Sequence, residues 1–401
     1  MRNTALAIAI TLLAAATAFC GNPRKERRTL ARADELVAQQ KYLSAYRLLD
    51  RYDPRNEVAD IVLKKTDIVL NYYVVNMMGQ IFALKDIPEG RSLLDYRGKE
   101  GISDCFFFSA DTVLMRLAAH DSTDCRIFRA LGRYYTLMQR MYGESWLNGD
   151  ELQLLHWSLQ NYSKAETLGC SDTTMFYDMA MASLLQGEAA DATTYFDKAL
   201  SLGSTHNADL HYNLAYACLE SDRPKALQNA VAASALYSDT VLKADAERMA
   251  GYICALDGNH RKAIRHLELS DSLCPNFDTW GHLLSSYIKV KSPKTLPTTE
   301  KIFNVAPGNP SGTDRLIRIY FQSDTSQIPQ LLWFFNGKLL QAPDSATSAN
   351  LHFSIGTIHF TQNRRNEAKP HLLKAQETYS TLLENDDELL AVLREMLLRC
   401  K

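Results

Sequence analysis

Few residues of this chain have the types and spacing that chemistry needs. His120 and Cys125 stand five apart and supply, in type, a base and a thiol nucleophile. Catalysis would also need a residue to orient the base and donors for an oxyanion, and neither can be named. His352 and His359 stand seven apart, about two turns along one helical face. They could share a metal ion only with carboxylate ligands from another helix, and both suit packed positions better. His260 and His266 flank a turn, and nothing in the sequence converges on them. The chain holds no Gly-rich phosphate loop, no HExxH, no GxSxG, no EF-hand loop and no closely spaced cysteine pair. The expectation is a non-catalytic protein with no cofactor and no metal.

Cys20 carries a different chemistry. It follows an apolar run from Ala5 to Phe19 that is too short to span a bilayer, which takes about 20 residues. Residues 1–19 therefore read as a signal peptide. Two fates stay open. Cleavage after the Ala16-Thr17-Ala18 site would release the chain. Alternatively, "TAFCGN" is similar to a bacterial lipoprotein signal, and Cys20 would be lipidated as the mature N-terminus. The second is favoured, because a cysteine at the end of such a run followed by Gly-Asn is seldom accidental. Residues 20–30 would form a tether, with Arg24, Lys25, Arg27 and Arg28 as a solvated helix start or a contact to anionic headgroups. Export permits disulfides. The seven remaining cysteines form no regular framework, so they read as buried, reduced thiols that act as small hydrophobes.

The positions that must carry any site are helical. Hydrophobic residues make up 46% of the 401 and charged residues 22%, and the 12 prolines and 18 glycines are sparse. Many helix formers and few breakers predict an all-α protein. A net charge of −2 provides no global field for nucleic acid.

One spacing recurs. Gly251, Ala263, Leu267, Ser270 and Pro275 are separated by 12, 4, 3 and 5 residues. Ala180, Ala192, Phe196, Ala199 and Ser204 repeat it, and Gly356, Ala368, Leu372 and Ala375 repeat its first part. Gly187 and Gly258 fall in the turns. The physical reason is direct: antiparallel helices about 8–10 Å apart need small side chains where their backbones approach. Large residues three and four apart then form the stripe that packs on the next pair. Weaker copies occur at 36–56, 127–146, 154–169, 278–290, 312–322 and 325–341. A capping helix at 385–400 would open on Asn385.

This pattern resembles the tetratricopeptide repeat (TPR), a helix–turn–helix unit of about 34 residues. The resemblance implies an α-solenoid with repeats degenerate over 31–122, central over 123–310 and C-terminal over 311–401. Two stretches fit it poorly. Residues 68–84 carry no charge but contain Asn71, Asn76 and Gln80, so a buried helix is expected rather than a membrane span. Residues 86–108 have loop chemistry. They are either a functional insertion or a loop held to the core by Phe106–Phe108.

The resemblance also implies a concave groove lined by the first helix of each repeat. Carried over by position, its side chains are Arg129 and Arg133, Tyr177 and Met181, Tyr212 and Tyr216, Arg248 and Tyr252, Phe353 and Thr357. Asn213 occupies one place of the family's carboxylate clamp. Tyr and Arg are enriched where binding energy concentrates, although tyrosines also serve simply to cover an inner wall. The implied function is a scaffold of the bacterial cell envelope that holds a peptide segment or partner protein in this groove. It would be exported to the periplasm or outer membrane and lipid-anchored at Cys20. A glycan or small-solute binding lipoprotein that uses the tyrosines is the alternative.

Overall fold

Asp or Asn opens most of the helices. Asp124, Asp172, Asn207, Asp222, Asp239, Asn259, Asn276, Asn309, Asp344 and Asp387 each accept a backbone N–H from the turn that follows. Such a cap satisfies a donor with no partner inside its helix and contributes about 1 kcal/mol. The computed structural model describes residues 23–99, 105–145, 151–203, 207–384 and 386–400. The signal peptide, Cys20 and the expected cap Asn385 lie outside the described residues. The last helix is capped instead by Asp387 and starts at Glu388.

The chain divides into two units, Met1–Thr205 and His206–Lys401. The first contains helices α1 (Pro23–Ala38), α2 (Tyr42–Tyr52) and α3 (Ala59–Asn71), then strands β1 (Val75–Met77), β2 (Ile81–Ala83) and β3 (Cys105–Phe107). It continues with α4 (Ala110–His120), α5 (Cys125–Tyr142), α6 (Glu151–Thr167), α7 (Thr173–Leu185) and α8 (Ala189–Ser201). The second is α9 (Ala208–Ala217), α10 (Arg223–Leu236), α11 (Thr240–Leu256), α12 (His260–Leu273), α13 (Phe277–Lys289) and α14 (Thr295–Phe303). It ends with α15 (Pro310–Ser323), α16 (Ile328–Leu339), α17 (Ser345–Thr361), α18 (Arg365–Leu382) and α19 (Glu388–Leu398). Each unit is a stack of TPR-type helical hairpins, so the all-α solenoid architecture read from the sequence holds.

The small residues sit where the spacing places them. A Cβ added to Gly251 would stand 2.5 Å from Leu267 Cγ and 3.2 Å from the Ala263 carbonyl oxygen. Gly356 meets Leu372 in the same way, and Gly132 meets the ring of Tyr162. The hairpin turn also repeats. At Gln40, Gly169, Gly187, Gly258, Lys291 and Asn363 the backbone enters the left-handed region. There the residue's N–H bonds a carbonyl three back, and the next N–H bonds one five back. That is the glycine-type helix stop. Three of the six carry glycine, so the glycine signal finds only half of these turns.

Residues 68–84 are not one helix. Helix α3 ends at Asn71, and an antiparallel β1-β2-β3 sheet follows. Val75 faces Ala83, and Phe82 faces Phe106. Met78, Gly79 and Gln80 form the three-residue turn between β1 and β2, with positive φ at Met78 and Gly79. An apolar run rich in β-branched residues has the same composition whether it is a buried helix or a strand pair, so composition could not decide. Part of the 86–108 segment supplies β3, while 100–104 lie outside the described residues. Phe106 stacks on Tyr46 at 4.3 Å, and Phe108 meets the same ring edge-on. Phe107 points out, 69% exposed. Two of the three phenylalanines therefore hold the segment to the core.

The cysteine expectation is partly overturned. Cys125 and Cys170 form a disulfide, with Cα atoms 5.6 Å apart. Cys218, Cys254 and Cys400 are buried free thiols as expected, but Cys105 is exposed. The oxidised Cys125 is not the thiolate nucleophile that its spacing from His120 suggested.

Two buried polar centres organise the packing. In the first unit Lys65 is fully buried. Its Nζ donates to Asp50 Oδ1 (2.8 Å), the Asp53 carbonyl (2.7 Å) and Asn56 Oδ1 (2.8 Å). In the second, Glu247 takes the place of the repeat's aromatic residue. It accepts from Ser234 Oγ at 2.5 Å and lies 2.7 Å from His266 Nδ1. His266, which the sequence left without a partner, thus has one. Burial pushes the Glu247 carboxyl up, but the bonds from His266 and Ser234 outweigh it and hold it below its ordinary 4.5. With a folded pKa below the unfolded one, this carboxylate contributes stability above 4.5. That contribution is lost as pH falls through the folded value. Glu247→Gln should lower the melting temperature of the second unit by about 4 °C near neutral pH. The difference should shrink on acidification in a calorimetric pH series; a pH-independent gap would contradict this account.

Candidate functional site

In the first unit the leading helices α1, α3, α5 and α7 line a cavity of about 660 Å³. Helix α5 sets its chemistry. Arg126, Arg129 and Arg133 recur at intervals of three and four, which puts them on one face. All three line the cavity, with Lys64 of α3. Asp34, Asp60, Asp67 and Asp172 are the carboxylates of the same wall.

Each arginine holds a different acid. Arg126 pairs with Asp60 at 2.7 Å and with Asp124 at 2.8 Å. The bond from Arg126 is the main reason the Asp124 carboxyl lies below its ordinary range. Arg129 pairs with Asp172 at 2.8 Å, and Arg133 with Asp67 at 3.2 Å. Lys64 bonds Asp34 at 2.6 Å. All three guanidiniums remain 40–50% exposed. An ion pair in contact with water contributes little to folding, about 0–1 kcal/mol. A ligand carboxylate can therefore replace or join such a partner at little cost, and a guanidinium has five donors to share.

The wall behind is rigid. Tyr162, which also lines the cavity, donates to Asp178 at 2.9 Å, and Arg140 pairs with Asp178 at 2.7 Å. Burial raises the Asp178 carboxyl more than Arg140 and Tyr162 lower it. The disulfide stands at the rim: Cys125 adjoins Arg126, and Cys170 lies two residues before Asp172. It fixes the start of α5 against the entry to α7.

Of the residues expected to line the groove in this unit, Arg129 and Arg133 do so. Tyr177 instead packs edge-on against Phe196 at 5.8 Å. Arg126 was missed. Its signal was the i, i+3, i+7 arginine row, which the pairwise carry-over of positions did not use.

The expected residues of the second unit are mostly occupied in packing. Tyr212 is half-buried against Tyr237, and burial raises its hydroxyl pKa. Tyr252 lies over His282 with ring centroids 5.1 Å apart. Arg248 pairs with Asp245 at 2.9 Å on its own helix. Phe353 packs on the C-terminal core, and Asn213 is half-buried. Tyr216 is the open one, 60% exposed.

No protein-family model matches the chain, and no curated protein does. Solved structures do. The apo form of RapI aligns over 89% of this chain and 98% of its own, at 11% identity and TM-score 0.45. PilF of Pseudomonas aeruginosa aligns over 64% and 95%, at 15% identity and TM-score 0.41. YrrB, described as a TPR protein with an unusual peptide-binding site, aligns over 42% and 79%, at 18% identity and TM-score 0.36.

Proposed function

We propose that this chain is a non-catalytic interaction scaffold of the bacterial cell envelope and that it holds a peptide segment of a partner protein in the groove of its first unit. The observation that carries the proposal is the row Arg126, Arg129 and Arg133, half-exposed on one wall of a 660 Å³ cavity. A row of guanidiniums is complementary to carboxylates of an extended segment, and Arg–carboxylate pairs fix register as well as add affinity. Export and anchoring at Cys20 rest on the leader, and the Cys125–Cys170 disulfide is in keeping with an oxidising compartment.

The test is peptide selection by phage display on the purified chain. Selected peptides should be rich in Asp and Glu, and their affinity should fall with added salt. Replacing Arg126, Arg129 and Arg133 together by Ala should weaken binding at least about a hundredfold, or roughly tenfold for each of two engaged pairs. Tyr216→Ala should leave it unchanged. Equal binding by the triple variant would remove the groove from the proposal. For the anchor, fatty-acid labelling in a bacterial host should be abolished in Cys20→Ser.

A further inference from the structure

In the second unit, apart from the groove just described, three histidines of one hairpin gather. His352 and His359 lie on α17, and His371 lies on α18. The Nδ1 atoms of His352 and His371 are 3.0 Å apart. His359 stacks on His371, with ring centroids 6.3 Å apart and planes 29° from parallel. Its own Nδ1 is buried and has no hydrogen-bond partner. Glu367, one turn before His371 on α18, acts on His359 with its negative charge, while Arg364 and Lys374 bring positive charge to the cluster. The sequence allowed a shared metal for His352 and His359 only with carboxylate ligands from another helix; α18 brings a histidine, His371, instead.

Two facing imidazole nitrogens can share one proton. With both lone pairs turned inward they can instead share one metal ion. Nitrogens bound to the same tetrahedral zinc at 2.0–2.1 Å stand about 3.3–3.4 Å from each other, so this pair, 3.0 Å apart, would have to open by only about 0.3–0.4 Å to share the ion. A proton bridge between His352 and His371 leaves the buried nitrogen of His359 without a partner. A metal would give that nitrogen a use. Among the described residues no three ligating side chains already converge. The preset element is therefore the pair, and the third ligand must turn toward it.

We propose that His352 and His371 are the fixed pair of a divalent transition-metal site, completed by His359, which would clamp α17 to α18. Neutral imidazole suits zinc, nickel and copper. The probes are zinc chloride and nickel chloride, titrated calorimetrically into untagged, metal-stripped full-length chain. The expected result is saturable binding of one ion per chain, with a raised melting temperature. His352→Gln and His371→Gln should each weaken binding at least about tenfold, and His359→Gln less. Replacement of the exposed His156 by Gln should have no effect. Copper bound to the unaltered chain should show at least two imidazole nitrogens in its electron paramagnetic resonance spectrum, a readout that does not depend on any variant folding. Absence of saturable binding, or fewer than two nitrogens on copper, overturns the site. So does undiminished binding by a folded His352→Gln/His371→Gln chain.

Discussion

Replacing both Cys125 and Cys170 by Ser should cost the first unit about 4 kcal/mol, the loop-closure value for cysteines 45 residues apart. The cross-link acts mainly on the unfolded chain, where it removes conformations that the open chain would regain. For a unit of this size the loss corresponds to about 10 °C in melting temperature. A reductant should reproduce the shift in the unaltered chain and do nothing further to the double variant. The free cysteines of the second unit leave it no such dependence. The groove should register the same change. With the disulfide gone, the entry to α7 is free to move, and Asp172 with it, so the Arg129–Asp172 pair loses its fixed geometry. Peptides selected on the oxidised chain should bind the variant more weakly even below its melting temperature. Differential scanning calorimetry checks the first point; a loss under about 1 kcal/mol would mean that the native packing alone holds the α5–α7 junction.

Lys65→Met should lower the stability of the same unit by about 3 kcal/mol. The side chains have similar length, so packing is nearly conserved and the change tests the charge. The substitution removes the donor of Asn56 Oδ1 and the shorter of the two bonds to the Asp53 carbonyl, which keeps the 3.4 Å bond from the Asn56 N–H. Asp50 is 49% exposed and can turn to water, so its share is small. The buried ammonium carries its own desolvation cost, which the methionine removes. The loss is therefore set by the hydrogen bonds that Asn56 Oδ1 and the Asp53 carbonyl lose, not by the ion pair. Urea denaturation measures it, and Asp50→Asn in parallel should cost much less. Equal losses from the two substitutions would assign the energy to the ion pair after all.

A place on the cavity wall was legible where it follows from a residue's position in the hairpin. Arg129 and Arg133 come from the position of Phe128 in its helix, because 3.6 residues per turn fixes which side chains share a face. Tyr177 and Phe353 satisfy the same rule yet pack inward. Whether a face residue reaches water depends on the neighbour beside it: Phe196 in one case and the C-terminal core in the other. The strands were illegible for a related reason. Val75 and Phe82 belong to a local hairpin, but it becomes a sheet only when Phe106, more than twenty residues beyond Phe82, pairs with it through backbone groups.

The sequence by itself determined the helical hairpin and its close contact. Gly251, Ala263 and Leu267 encode a backbone approach through side-chain size, and Asp and Asn encode helix starts through local hydrogen bonds. These are interactions within about thirty residues, and residue type and spacing suffice for them. Only the tertiary structure decided which cysteines meet, that Lys65 is buried beneath a turn, and that the arginines of α5 meet carboxylates on α3 and at the cap of α7. It also decided that His371 stands 3.0 Å from His352. Each of these depends on how one helix is set against another, a geometry fixed by the packing of whole apolar faces and spelled out by no single residue.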